Sequence, residues 1–275
     1  MSADAAIRMS ADPIEKFKEM QKLGWASFGP LATFTTPPAA KLVRFAQVKP
    51  GQRVLDVGCG TGVVALTAAR VGAKATGADL TPELLAQARE NSKITGLEVE
   101  WLESDVEKLP FEDRQFDVVL SQFGHMFAPR PDVAIGQMLR VLKPGGTIAF
   151  STWPPDQYIG QTSALVARYA PPPPPGVSPP LQWGDPAIIR ERLGAAVKEL
   201  TFDRDVMMTP TLNAQHSRWV TEQSAGPVKK LVEGLSASDP AKLAEFRREY
   251  DQLMEPYFEH NVTRYNFLMT RAIKV

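Results

Sequence analysis

The chain has 275 residues, 44% of them hydrophobic, and its 31 Lys plus Arg balance 31 Asp plus Glu to a net charge of zero. That content supports a sizeable core and excludes wholesale disorder, while neutrality removes the positive field on which a dedicated nucleic-acid binder depends. A single cysteine, Cys59, excludes an intrachain disulfide and a thiolate-rich metal site. No stretch approaches the ~20 apolar residues of a bilayer span, and residues 1–9 lack the apolar core of a secretion signal. The expectation is a cytoplasmic protein with no membrane span, no nucleic-acid partner and no bound metal, working as a monomer or homodimer.

Residues 1–50 read as short helices. Asp12-Pro13 is an N-cap followed by proline at the first helical position, Gly24 marks a stop, and Thr36-Pro37 repeats the start signal. From 51 to 152, strand and helix patterns alternate at short spacing, which is the mark of a parallel sheet. Strands are expected over 53–57, 74–78, 98–103, 116–121 and 147–152. Helices are expected over 62–71, 82–94 and 131–142, with Thr81 capping the second, and Lys143-Pro144-Gly145-Gly146 reads as a turn.

The prolines of 171–175, followed by Gly176 and Pro179-Pro180, make a stiff extended connection. A helix over 186–193 has Asp185 as its cap and Gly194 beyond its end. Two further strands, over 197–203 and 264–273, flank a helical stretch. In it Leu243, Phe246, Tyr250, Leu253 and Tyr257 form an apolar stripe, and Pro256 kinks or ends that helix. The reading is one domain over 1–275, divided into a helical lid segment (1–50), a sheet core (51–152) and a helical insert (206–262).

The most informative residues are Val54-Leu55-Asp56-Val57-Gly58-Cys59-Gly60-Thr61-Gly62. A buried strand runs into a loop with glycine at every second position, and a helix opens behind it. Glycine lets the backbone turn sharply and approach a ligand, and the helix start offers free N–H groups. A nucleotide-type cofactor across the strand ends is the natural occupant. Dinucleotide folds prefer G-x-G-x-x-G with a pyrophosphate on the helix. Here the spacing is G-x-G-x-G, and the carboxylate of Asp56 repels a pyrophosphate but suits a positive amino group. Asp79, 21 residues after Gly58, ends the second strand, where it suits ribose hydroxyls. Asp79 could instead merely cap the next helix, but Thr81 fills that role better. Asp105, past the third strand, could meet the exocyclic amine of an adenine.

The runs VLDVGCGTG, GADLTPELL, SDVEKLPFEDRQFDVVLSQFG and MLRVLKPGG stand in this order over roughly residues 38–152. Together they resemble a class I S-adenosylmethionine-dependent methyltransferase, most similar to the small-molecule branch that includes ubiquinone and menaquinone methyltransferases. The resemblance implies a Rossmann-like seven-stranded α/β sheet in order 3-2-1-4-5-7-6, with the last strand antiparallel. It implies S-adenosyl-L-methionine as cofactor, with Gly58, Cys59, Gly60 and Gly62 around its methionine part and Asp56 near the amino group. Asp79 would hold the ribose, Leu80 would pack on the adenine, and Asp105 and Val106 would bind the adenine edge. Ser121, Gln122 and Phe123 would border the methionine moiety and the acceptor.

Methyl transfer is an in-line displacement at an activated carbon, so proximity, alignment and exclusion of water are the main demands on the protein. His125 is the one histidine in a motif position, a candidate base set against a loop histidine that only packs. His216 and His260 have no metal-like spacing. The aromatics Trp25, Phe28, Phe34, Phe127, Trp153 and Trp183 suggest a small apolar or aromatic acceptor, methylated on oxygen, carbon or nitrogen. Two other readings stand beside this one: a non-catalytic cofactor-binding regulator, and a methyltransferase acting on RNA or protein.

Overall fold

The computed structural model describes residues 12–275. Its strands are β1 (Arg53–Val57), β2 (Lys74–Asp79), β3 (Val99–Glu103), β4 (Phe116–Gln122), β5 (Leu142–Thr152), β6 (Val197–Pro210), β7 (Phe258–Glu259) and β8 (Val262–Lys274). They form one sheet in order β3-β2-β1-β4-β5-β8-β6, with the two-residue β7 paired to the start of β8. Strands β1 to β5 run parallel to one another, and β8 is antiparallel to both β5 and β6. The expected order with its antiparallel last strand is what forms, and β7 changes only the numbering. Residues 1–9, read above for a secretion signal, lie outside the described residues. No helix among the described residues is long and apolar enough to cross a membrane.

Parallel strands covered on both faces read as nearly continuous apolar runs, and β1 and β4 do so. On one face α2 (Thr36–Phe45) and α3 (Val63–Arg70) set Leu42, Val64 and Ala65 against Val54, Val118, Leu120 and Ala149. On the other, α5 (Pro131–Val141) and α7 (Pro186–Leu193) set Met138 and Ile189 against Val119, Ile148 and Phe150. The helix α4 (Pro82–Thr95) follows β2 and ends at Gly96 in the left-handed conformation.

Three local expectations change. The turn at 143–146 lies inside β5: Leu142 pairs with Phe116 and Thr147 with Val118, so the Pro-Gly-Gly segment is a wide bulge opposite Asp117. Strand β6 continues past Asp203 to Pro210, paired with β8 throughout its added length. Arg204 and Asp205 interrupt its apolar pattern, yet an edge strand tolerates charge and is protected by it from pairing with another chain. Gly24 lies within α1 (Pro13–Trp25) rather than after it. The reason is a helix crossing: a Cβ on Gly226 would come 2.7 Å from the Gly24 carbonyl oxygen.

The insert is α8 (Ala214–Ser224), α9 (Gly226–Ser238) and α10 (Pro240–Met254). Helix α10 ends two residues before Pro256, as that residue predicts. The stripe residues Leu243, Phe246 and Tyr250 pack with Leu231 and Leu235 of α9 and with Leu165 of α6 (Tyr158–Tyr169). The stripe therefore closes a satellite core of its own. Helix α1 lies against α9, with Lys230 Nζ donating to the Met20 carbonyl at 2.6 Å.

Candidate cofactor site

The chain leaves β1 through Gly58, Gly60 and Gly62, at φ of 63°, 54° and 86°. These glycines do different jobs. A Cβ on Gly58 would lie 2.8 Å from the Gly124 Cα, so Gly58 permits two loops to touch, backbone to backbone. A Cβ on Gly62 would lie 2.3 Å from the ring of Trp101, so Gly62 makes room for an indole of β3 and not for a ligand. Gly60 alone of the three faces open space. Cys59 is buried, and a Cβ on Gly77 would come 3.0 Å from its sulfur. Burial, with the carboxylates of Asp79 and Asp56, pushes its thiol well up, which makes it unreactive.

Two carboxylates hold this loop. Asp79 accepts from Gly60 N through Oδ2 and from Thr81 N through Oδ1, each at 2.8 Å. Thr81, expected to cap α4, makes no side-chain cap; Asp79 takes up its N–H instead. Each Asp79 oxygen keeps a second lone pair for further donors. Asp56 accepts from Ala65 N through Oδ2 at 3.1 Å, and its Oδ1 is buried with no partner. Burial raises both carboxyls, that of Asp56 well above the usual range.

Past β3, Asp105 caps a short turn by accepting from Glu107 N at 2.8 Å. Its other oxygen meets Lys18 Nζ of α1 at 2.6 Å, and the same ammonium is 2.7 Å from Glu107. Lys18 is only 5% exposed; burial alone would lower its pKa, but the bonds to Asp105 and Glu107 outweigh this and raise it. Leu80 and Val106 are half-buried at the same rim.

At the end of β4, the Ser121 hydroxyl donates to the Val57 carbonyl at 2.6 Å and accepts from His125 N at 3.0 Å. Ser121 is fully buried and braces the loop from below. Gln122 Nε2 donates to the Thr35 carbonyl at 2.8 Å, which binds the 3-10 segment Gly29–Thr35 to the sheet, while its Oε1 is buried and unpartnered. Phe123 has φ of 59° and stacks on Trp153 with ring centroids 3.7 Å apart.

The remaining aromatic candidates separate into three groups. Trp25 meets Phe28 at 5.8 Å and Phe127 at 4.7 Å, and Phe34 packs on the main core. Trp153 continues to Tyr265 at 6.5 Å, and Tyr265 to Tyr158 at 4.9 Å. Trp183 and His125 stand apart, each 1% exposed, with ring centroids 4.8 Å apart and Phe150 against both. Neither ring nitrogen of His125 has a partner, and burial, with the nearby Arg192 charge, lowers its pKa to about 3. Trp183 is therefore a core residue, and His125 is a neutral imidazole in an aromatic pocket. Sequence reasoning missed Lys18, Trp101 and Tyr265. Only Lys18 left a trace, in Glu15 one turn before it.

The site thus offers an open glycine, the Asp79 carboxylate with lone pairs to spare and two buried unpartnered acceptors, Asp56 Oδ1 and Gln122 Oε1, at the ends of adjacent strands. An ammonium group with its several donors would answer such acceptors. A family model described as a methyltransferase domain matches residues 55–150. Over 237 residues the chain is 34% identical to an uncharacterized protein of Mycobacterium tuberculosis, with 85% of each chain covered. It is 40% identical over 117 residues to the demethylmenaquinone methyltransferase of Thermus thermophilus, covering 42% of this chain and 53% of that one. It is 35% identical over 142 residues to the ubiquinone biosynthesis O-methyltransferase of Xanthomonas campestris, covering 50% and 59%. Among solved structures, the YcgJ protein of Bacillus subtilis is similar with a TM-score of 0.57 at 18% identity, over 86% of this chain and 97% of its own. At that identity the likeness speaks to the fold.

Proposed function

Because the chain belongs to the class I S-adenosylmethionine-dependent methyltransferases, we propose that it binds S-adenosylmethionine at the β1–α3 loop and methylates a small, apolar or aromatic molecule. The observation that carries the reading is the pairing of Gly60, open to approach, with Asp79, which holds its N–H. Beside it, the unpartnered Asp56 Oδ1 and Gln122 Oε1 fit the amino group of the methionine part. The donor supplies a methyl group already activated on a sulfonium.

The residues of this chain bind, orient and exclude water. Asp79 receives ribose hydroxyls, and Asp105 with Val106 receives the adenine edge. Gly58 and Ser121 act below them as braces. On the acceptor side, Phe123 and Trp153 present a stacked pair, while Trp25, Phe28 and Phe34 stand on the N-terminal segment and Phe127, from the turn after β4, packs on Trp25. Binding sites of this kind are mostly apolar with few polar groups. The names of the Thermus and Xanthomonas relatives point to ring-shaped acceptors for those proteins, which agrees with an aromatic surface here. His125 holds its loop without moving a proton.

Calorimetric titration tests this directly, with S-adenosylmethionine and NAD added separately. Binding of the first alone is expected. Binding of NAD alone would overturn the assignment, and failure to release S-adenosylhomocysteine in the presence of any acceptor extract would reduce the protein to a binder.

A further inference from the structure

Lys18 is the one buried lysine among the described residues, and nothing in the loop motifs calls for it. An ammonium has three donors, and here they meet Asp105 at 2.6 Å, Glu107 at 2.7 Å and Glu15 at 3.2 Å. Glu107 is held a second time, by Arg130, whose Nε donates at 2.8 Å and whose backbone N–H donates at 2.6 Å. The Asp105 carboxylate is thus fixed on two sides, by Lys18 and by Glu107 N, while its side chain stays 23% exposed. A second tie, Lys22 to Glu103 at 2.5 Å, fastens the same helix to the end of β3. Truncating Lys18 therefore takes the ammonium from Asp105 alone in effect, because Glu107 keeps Arg130 and Glu15 is half exposed to water.

We propose that Lys18 is a positioning residue for the nucleobase: it aims the Asp105 carboxylate at the exocyclic amine of adenine and couples α1 to occupancy of the site. This rests on the cofactor reading given above. A carboxylate so aimed rejects a 6-oxo purine, because two acceptors would face each other without a proton between them. Lys18 thereby acts on base identity through Asp105, and a helix that merely covered the site would act on any occupant alike.

The test compares S-adenosylhomocysteine with S-inosylhomocysteine, its 6-oxo analogue, by calorimetry on the full chain. The wild type is expected to prefer the adenosyl compound. Lys18→Met should reduce that preference about tenfold, the scale of one charge-assisted hydrogen bond, while Lys18→Arg retains most of it. Lys22→Met, which cuts the tie outside this cluster, should leave the preference intact. Equal weakening of both ligands by Lys18→Met, or no change in either, overturns the proposal. Should Lys18→Met fail to fold, amide exchange in the wild type decides. The adenosyl compound should slow exchange across α1 more than the inosyl compound does, and equal protection overturns the coupling. Failure of the wild type to bind either compound would instead overturn the cofactor reading itself.

Discussion

The glycine loop and the helical insert solve the same problem, the burial of polar groups, in opposite ways. In the loop, side-chain carboxylates and hydroxyls are spent on backbone: Asp79 on Gly60 and Thr81, Asp56 on Ala65, Ser121 on Val57 and His125. In the insert the buried Glu222 and Tyr250 are spent on other side chains, those of Arg218, Arg247 and Tyr158 of α6. Glu222 is gripped by Arg218 and Arg247 at 2.7 Å each, and the Tyr158 and Tyr250 hydroxyls meet at 3.0 Å. A side chain bonded to backbone fixes a loop's shape, and shape is what a ligand reads. A side chain bonded to another side chain fixes only which helices meet. Substitutions should therefore separate the two regions, those in the insert acting on stability and those in the loop on binding.

The largest effect is expected from Phe246→Ala. Phe246 of α10 is fully buried against Tyr169 of α6, and such truncations cost about 3–5 kcal/mol. Denaturant unfolding should show that loss, while calorimetry on the remaining folded protein shows unchanged affinity for S-adenosylhomocysteine. A parallel loss of affinity would mean that the insert shapes the cofactor site. Asp79→Ala should do the reverse, weakening the ligand by about 1.5–3 kcal/mol for each charged hydrogen bond removed. Unchanged affinity there would remove the ribose assignment.

The same contrast explains what could be read from the sequence. The β1 run, the glycine spacing and the position of Asp79 are local, the strands and helices are read from alternation along the chain, and the sheet order is what the family resemblance of those runs implies. The uses of the glycines were not legible. Gly58 answers Gly124, 66 residues on, and Gly62 answers Trp101; spacing alone cannot say whether a missing Cβ admits a ligand or an indole. Lys18 looks like any helix-surface lysine until the fold brings Asp105 to it across 87 residues. The stripe of α10 was visible, but its partners on α6 and α9 depend on packing that periodicity does not encode. The added length of β6 was hidden because edge position, rather than alternation, decides what a strand tolerates.

Asp56 sharpens the comparison from inside the loop. Its carboxyl is raised well above the usual range by burial, despite the Ala65 N–H. The folded state therefore favours the protonated form. Stability is present below the unfolded pKa near 3.8 and is lost as pH rises through the folded value. Asp56→Asn should stabilise the free protein at pH 7, because it removes the cost of burying this carboxyl. That gain should shrink on acidification. If Asp56 also meets the ligand's amino group, the same variant should bind S-adenosylmethionine more weakly. Thermal melts across pH with and without ligand read both effects, and a variant no more stable than wild type at pH 7 contradicts the account.

The smallest effect on activity is expected at His125, which joins the loop to the main core. Its backbone N–H serves the loop, through Ser121, while its ring serves the core, against Phe150 and Trp183. A base must be in reach of the proton it takes and must have a pKa near working pH. This imidazole is 1% exposed and its pKa is lowered to about 3 by burial and by the Arg192 charge, so it is neutral throughout the physiological range. His125→Phe keeps the backbone bond and a flat ring. Turnover should fall by far less than the 10²–10⁴-fold, roughly, that loss of an acid–base group brings, with an unshifted pH–rate profile. The same substitution should show itself in acid. Unfolded histidine gains a proton below about pH 6.5 and the folded ring does not until about pH 3. The wild type therefore loses stability over that window as pH falls, by up to about 1.4 kcal/mol per pH unit, and the Phe variant escapes this loss. Melts at pH 7 and pH 5 measure the difference. Equal acid sensitivity in both proteins, or a turnover loss at the upper end of that range with cofactor affinity intact, would return the imidazole to the chemistry.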